Sequence, residues 1–171
     1  MKPKFIQMYM EIAGLIAKQS SAKRLQVGAI VVKNDRIISI GYNGMSAGWD
    51  NDCEEKEWIV GNIPEKYKND QWIFKEEDSG AVYRLRSRPE VIHAEANAIA
   101  KLAKGSESGD LSDMFLTHAP CIDCAKQIYA TGIKIVYYRD SYKNDDGIKF
   151  LEKCGVSVRK ISPGEIQTLD K

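Results

Sequence analysis

The chain lacks any run approaching the roughly 20 consecutive apolar residues that a membrane-spanning helix needs. Its first residues form an amphipathic pattern in place of a continuous apolar segment with a small-residue cleavage site, which argues against a signal peptide. We therefore expect a cytoplasmic protein with no membrane partner. Only four cysteines occur in 171 residues, and in a reducing compartment a close cysteine pair indicates metal binding or redox chemistry before a disulfide.

An excess of charge of either sign is also missing. Lysine and arginine number 25 against 24 aspartates and glutamates, a net charge of +1. Nucleic-acid-binding domains usually carry a clear basic excess, so we expect no nucleic-acid partner. Internal repeats and low-complexity tracts are absent as well, and the length fits a single domain over 1–171.

The first half of the chain predicts a helix, a hairpin and an insertion. Apolar residues recur at helical spacing over 4–19, and two short apolar runs around Asn34-Asp35 predict a β-hairpin over 25–42. Residues 49–90 are dense in both charge signs and show no clear period. A connection of this length within a compact domain is usually functional, and we interpret it as an insertion packed on one side of the core, with a short helix.

From residue 93 the pattern alternates regularly. It predicts helices over 93–104, 121–131 and 145–153 and strands over 113–118, 133–138 and 156–160. A glycine follows each helix, and such glycines commonly adopt the left-handed conformation that ends a helix. Helices alternating with apolar strands predict an α/β sandwich whose sheet is partly parallel. We expect a weakly packed tail over 162–171.

Two short motifs at predicted helix starts supply the chemistry. His93-Ala94-Glu95 offers an imidazole and a carboxylate, and Pro120-Cys121-Ile122-Asp123-Cys124 offers two thiolates. His93, Cys121 and Cys124 would give Zn²⁺ three protein ligands and leave one position for water. Glu95, beside the metal but not bound to it, is suited to carry protons.

Simpler interpretations exist for each motif alone. Cys-x-x-Cys after a strand can be a thioredoxin-like dithiol, and Cys53 and Cys154 with the pair can form a structural four-cysteine zinc site. A lone histidine is more often a hydrogen-bonded core residue than a ligand. The conjunction of H-x-E with P-C-x-x-C favours catalytic zinc, because this pairing is typical of the zinc nucleobase deaminases.

The similarity extends beyond the metal motif. Four segments resemble the deoxycytidylate (dCMP) deaminase family, and the resemblance covers about residues 5–160: Gln26-Val27-Gly28-Ala29 to Gly41-Tyr42-Asn43-Gly44, His93-Ala94-Glu95-Ala96-Asn97-Ala98-Ile99, Pro120-Cys121-Ile122-Asp123-Cys124-Ala125-Lys126, and Thr131-Gly132-Ile133-Lys134. The resemblance implies a three-layer α/β/α, cytidine-deaminase-like sandwich with a mixed five-stranded sheet. It implies a hydrolase that converts dCMP to dUMP and ammonia in pyrimidine nucleotide biosynthesis. It further implies a homo-oligomer, commonly a hexamer, activated by dCTP with Mg²⁺ and inhibited by dTTP.

The resemblance also suggests the substrate site. It implies that Asn43 contacts the sugar and that Val27 and Ala94 line the base pocket. Arg24, at the mouth of the first strand, is our candidate for the phosphate, although a solvated surface arginine is an equally good interpretation on base rates. Tyr142 is a weaker candidate, for which half-buried packing is the simpler explanation.

Three further residues are candidates for the allosteric nucleotide. Lys23 would add a second cation beside Arg24, and Gly44 and Gly48 would let the backbone approach phosphates closely. Ordinary turn glycines explain the last two equally well.

The chain departs from the family pattern in one respect. Some members bind a second, structural zinc around the first strand and the insertion, but Ala22 stands where a cysteine ligand would lie and Cys53 has no evident histidine partners. We therefore expect one zinc per chain. His118, three residues before Cys121, is expected to lie near the site without acting as a fourth ligand.

Other activities remain open on the sequence alone. A tRNA adenosine deaminase shares the metal chemistry but needs a basic surface. A free-nucleoside cytidine deaminase needs neither phosphate donors nor this insertion. In a non-catalytic zinc-binding module, Glu95 would have no purpose.

Overall fold

The computed structural model describes residues 1–161, so the expected tail over 162–171 lies outside the described residues. This part of the chain contains four helices and eight strands, with one short 3₁₀ turn at Glu65–Tyr67. In chain order they are α1 (Pro3–Ala17), β1 (Gly28–Lys33), β2 (Arg36–Tyr42), β3 (Glu54–Ile59), β4 (Ile73–Lys75), β5 (Val82–Ser87), α2 (Ala94–Lys104), β6 (Asp113–His118), α3 (Ile122–Ala130), β7 (Ile135–Asp140), α4 (Asp146–Lys153) and β8 (Ser157–Lys160).

The main sheet has five strands in the order β2-β1-β6-β7-β8. Strand β1 runs antiparallel to β2 and β6, whereas β7 runs parallel to both β6 and β8. Helix α1 covers one face, where its buried Tyr9 and Ala13 pack with Ile30 and Phe115. Helices α2, α3 and α4 cover the other face, which includes Val31. The predicted three-layer α/β/α sandwich with a mixed five-stranded sheet is confirmed.

Two local predictions were wrong. The first strand begins at Gly28 instead of 25, which leaves Leu25 and its neighbours in a loop beside the site. Gly132 and Gly155 both have φ +81° and end α3 and α4 as expected, but Gly105 is extended, with φ −99° and ψ −178°. Helix α2 therefore ends without a left-handed residue.

The insertion forms a small sheet of its own, which the sequence did not indicate. Strands β3, β5 and β4 pair antiparallel in that order, and the expected short helix is present only as the 3₁₀ turn at Glu65–Tyr67. Arg84 on the central strand bonds Asp70 at 2.8 Å and Glu57 at 3.0 Å and lies against the ring of Tyr67. Ion pairs and exposed aromatic residues, in place of a buried apolar face, hold this sheet together.

Within residues 1–161, no helix combines the length and the apolar character required to cross a bilayer.

Candidate metal centre and substrate pocket

His93, Cys121 and Cys124 meet where helices α2 and α3 begin. His93 is the N-terminal cap of α2, Cys121 is the cap of α3, and Cys124 lies in the first turn of α3. Nδ1 of His93 lies 3.6 Å from Sγ of Cys121 and 3.4 Å from Sγ of Cys124. The three potential ligand atoms all lie within 4.8 Å of one another.

These separations fit a single zinc ion. Zinc at about 2.3 Å from sulfur and about 2.05 Å from nitrogen places tetrahedral S and N ligands about 3.6 Å apart. Two thiolates and an imidazole form a donor set that zinc prefers, and three protein ligands leave a fourth position open. Among the described residues, His118, Cys53 and Cys154 do not join this group, and all four cysteines are unpaired. The four-cysteine alternative is therefore wrong.

The electrostatic surroundings favour a thiolate at this place. Hydrogen bonds from Cys124 and His93 lower the pKa of the Cys121 thiol to about 4. The same contact with Cys121, together with burial, raises the pKa of Cys124, so the pair holds one proton between its two sulfurs. The N-terminus of α3 adds the positive end of a helix dipole. A divalent cation that binds both sulfurs must release that proton.

Glu95 lies beside the ligands but is not one of them. It is the second residue of α2, is only 4% exposed, and lines the same pocket as His93 and Cys121. Burial raises the pKa of its carboxyl. A buried carboxyl group that ionises at a higher pH than usual, beside a set of potential metal ligands, is suited to accept and return a proton.

Close contact between α2 and β2 sets the position of Glu95. A Cβ at Gly41 would lie 2.1 Å from the carbonyl oxygen of Ala94, so only glycine permits this approach. Asn97 Nδ2 donates to the carbonyl of Tyr42 at 2.9 Å and Ser39 Oγ donates to that of Ala98 at 2.7 Å. The start of α2 is therefore attached firmly to the sheet.

The pocket brings together most of the residues that the sequence singled out. Four of the predicted substrate residues line it, namely Val27, Asn43, Ala94 and Tyr142. Five others were missed or given no substrate role, namely Leu25, Ser87, Val91, His118 and Ala119. Ser87 comes from the insertion, whose sequence carried no signal for such a contact. His118 immediately precedes Ala119-Pro120-Cys121, which in retrospect places it at the pocket wall.

Asn43 has a structural task within this pocket. Its Oδ1 accepts the backbone N–H of Val27 at 2.8 Å, and its Nδ2 donates to the carbonyl of Leu25 at 2.8 Å. The Asn43 amide therefore holds the loop that carries two pocket-lining side chains.

The remaining candidates lie around the pocket rather than in its wall. Arg24 Nη1 donates to Ser87 Oγ at 3.4 Å, whereas Lys23 borders a groove on the aromatic side of the insertion sheet. Gly44 exchanges backbone hydrogen bonds with Ile92, and Gly48 has φ +90° in open space.

His118 is held from behind by its neighbour. Its Nδ1 lies 3.1 Å from Oγ1 of the buried Thr117, which accepts the N–H of Gly28 at 3.0 Å. Burial lowers the pKa of the His118 imidazole, although Asp140, 3.7 Å from Nε2, acts in the opposite direction.

Comparisons with known proteins agree with this geometry. The family model described as the cytidine and deoxycytidylate deaminase zinc-binding region matches residues 3–139. Deoxycytidylate deaminase of Enterobacteria phage T4 is 34% identical over 94% of this chain and 92% of its own length. ComE operon protein 2 of Bacillus subtilis is 33% identical over 94% of this chain and 72% of its own. The crystal structure of dCMP deaminase from cyanophage S-TIM5 with dCMP and dUMP has a TM-score of 0.74 and 41% identity, covering 94% of this chain and 99% of the other.

Proposed function

Because the chain belongs to the cytidine and deoxycytidylate deaminase family, we propose that it hydrolyses dCMP to dUMP and ammonia. The relatives from phage T4 and cyanophage S-TIM5 that align over nearly their whole length are named dCMP deaminases. The observation that carries the proposal is the cluster of His93, Cys121 and Cys124, of which His93 and Cys121 line the same pocket as the buried Glu95.

His93, Cys121 and Cys124 would hold one zinc per chain. Zinc bound there supplies Lewis-acid activation of a water molecule at neutral pH. The Glu95 carboxylate takes a proton from the attacking water and passes it to the ring nitrogen beside the reacting carbon. It then takes the second proton from the hydroxyl group now on that carbon and delivers it to the amino group, which leaves as ammonia. The raised pKa of Glu95 matches both directions of this transfer.

The pocket walls suit a pyrimidine nucleotide. Val27 and Ala94 would contact the base, and Asn43 would contact the sugar while it holds the loop over 25–27. Arg24 would bind the phosphate at the rim, and Tyr142, which lines the pocket, would contact the nucleotide. Each assignment keeps apolar surface against the base and polar groups against the sugar and phosphate.

Regulation and assembly complete the proposal. dCTP with Mg²⁺ would activate the enzyme and dTTP would inhibit it, with Lys23, Gly44 and Gly48 near the effector in a homohexamer. Support comes from the resemblance of the Gly-Tyr-Asn-Gly loop to that of the family. Turnover of dCMP with each effector added, and light scattering on the eluting protein, test regulation and assembly respectively.

The decisive experiment compares substrates in parallel. Absorbance changes are followed with dCMP, cytidine and dAMP, using zinc-loaded protein, chelator-treated protein and protein to which zinc has been restored. We expect turnover of dCMP that disappears with the chelator and returns with zinc. Turnover of cytidine without dCMP would overturn the substrate, and zinc-loaded protein inactive on all three would overturn the reaction.

A further inference from the structure

The loop over 20–27 lies between the insertion and the pocket, and the carboxylate of Glu54 in the insertion bonds its backbone. Both Glu54 oxygens accept the backbone N–H of Lys23 at 3.1 Å, and Oε1 also accepts that of Arg24 at 3.0 Å. Glu54 begins strand β3 and stands directly opposite Ser87, the last residue of β5. We refer to this Glu54–Ser87 pair as the first rung of the insertion sheet.

Both members of the first rung contact Arg24: Glu54 bonds its backbone, and Ser87 bonds its side chain. The Oγ of Ser87 accepts a hydrogen bond from Nη1 of Arg24 at 3.4 Å, and Ser87 itself lines the active-site pocket. Leu25, the next residue of the loop, lines the pocket too. The insertion therefore holds Arg24 at two points, with Glu54 on its backbone and Ser87, which lines the pocket, on its guanidinium group.

The Arg24 guanidinium has donors to spare at this position. Among the side-chain N and O atoms buried within residues 1–161, Nε of Arg24 alone has no hydrogen-bond partner. Leaving a buried donor unsatisfied is costly. The Glu54 carboxylate bonds the backbone N–H groups of Lys23 and Arg24 and not the guanidinium group. A guanidinium group that keeps donors beyond its bond to Ser87 can recognise phosphate in a bidentate manner.

We infer that the first rung, Glu54 and Ser87, positions Arg24 for the 5′-phosphate of the substrate, so that the insertion discriminates nucleotide from nucleoside. The inference rests on the proposed deamination of dCMP. The insertion, which contributes no metal ligand, would in this way take part in substrate selection. Glu54 is a positioning residue, because it contacts the Arg24 loop and not the pocket.

Kinetics on dCMP and deoxycytidine test the inference with zinc-loaded protein. Arg24→Met is expected to raise KM for dCMP about 10- to 100-fold, the loss expected for hydrogen bonds to a charged group. Its kcat on dCMP and its kcat/KM on deoxycytidine should stay within about twofold of the wild type. Glu54→Gln and Ser87→Ala should raise KM for dCMP by about 3- to 10-fold with the same selectivity.

Two controls separate positioning from general damage. Glu55→Gln changes the neighbouring carboxylate, which bonds Arg86 on the exposed side of the sheet, and should leave both substrates unaffected. If Glu54 acts through Arg24, adding Glu54→Gln to Arg24→Met should produce no further rise in KM. Calorimetric titration with dUMP should reproduce the same ranking of affinities without turnover.

The outcomes are distinct. Equal losses on dCMP and deoxycytidine, a fall in kcat with KM unchanged, or a full Glu54→Gln effect in the Arg24→Met background would each overturn the inference and leave the deaminase proposal standing. If deoxycytidine is turned over too slowly to measure, the separation of KM from kcat on dCMP decides. A zinc-loaded wild type inactive on dCMP would instead refute the proposed function.

Discussion

Replacing Gly147 by alanine is expected to disturb the cysteine side of the metal site, although the same change ordinarily strengthens a helix. Gly147 lies in the first turn of α4. A Cβ there would lie 2.1 Å from the carbonyl oxygen of Pro120 and 2.9 Å from that of Cys121. The backbone of Pro120 and of the first cysteine ligand, Cys121, therefore occupies the space that the new methyl group needs.

The magnitude follows from the overlap. The Pro120 carbonyl would have to retreat by roughly 1 Å to reach ordinary van der Waals contact. Overpacking of this kind costs about 1–3 kcal/mol, which outweighs the roughly 0.5–1 kcal/mol that alanine normally gains over glycine in a helix. For a domain of this size we expect Tm to fall by about 3–10 °C. Zinc affinity should fall at least about tenfold, because a misplaced thiolate spoils the tetrahedral geometry.

Gly14→Ala is the matched control. Gly14 lies in α1, and a Cβ there would meet only Nη1 of Arg139, the far end of a flexible side chain, at 3.5 Å. This variant should keep its zinc affinity and show an equal or higher Tm. Thermal unfolding of the zinc-loaded proteins and competition with a coloured chelator measure both quantities. If Gly147→Ala matches Gly14→Ala in both, the reasoning from close packing is refuted.

Three further predictions concern the proton carrier, the insertion and the hairpin. Glu95→Gln should keep zinc by metal analysis yet lose about 10²- to 10⁴-fold in kcat, and near-normal turnover would remove Glu95 from the chemistry. Arg84→Met should destabilise the protein by about 1–3 kcal/mol in urea unfolding and expose the insertion to proteases, because Asp70 is left without its partner; adding Asp70→Asn should recover part of the loss. Tyr9→Phe removes the 2.8 Å bond from Tyr9 Oη to the carbonyl of Asp35; a cost of about 1 kcal/mol should lower Tm by about 2–4 °C, and an unchanged Tm would contradict it.

The metal-binding motifs were predictable because their signals are local. The types of ligand, the proline before Cys121 and the glycines after α3 and α4 lie within a few residues of the elements that they define. Two helices that start at the same edge of a sheet bring their first turns together, so His93 and the cysteines meet although 28 or more residues separate them.

The insertion could not be predicted for a physical reason. Strand β3 begins with four charged residues, Glu54 to Glu57, and has no buried face, so no alternating strand pattern marks it in the sequence. An ion pair joins it to β5, between Glu57 and Arg84, and such pairs leave no periodic trace in the sequence. The bonds from Glu54 to the loop of Arg24 cross 30 residues and are visible only in the folded chain. Asn43 was singled out from the sequence as a substrate residue, but its hydrogen bonds to the backbone of Leu25 and Val27 were not predicted.

Zinc content combined with X-ray absorption at the zinc edge tests the central claim most directly. We expect one zinc per chain, bound by two sulfur atoms and two lighter atoms, with a single sulfur remaining in Cys124→Ser. A protein purified with zinc available but free of metal, or zinc surrounded by four protein side chains, would contradict the proposed centre of His93, Cys121 and Cys124 with a position open to water.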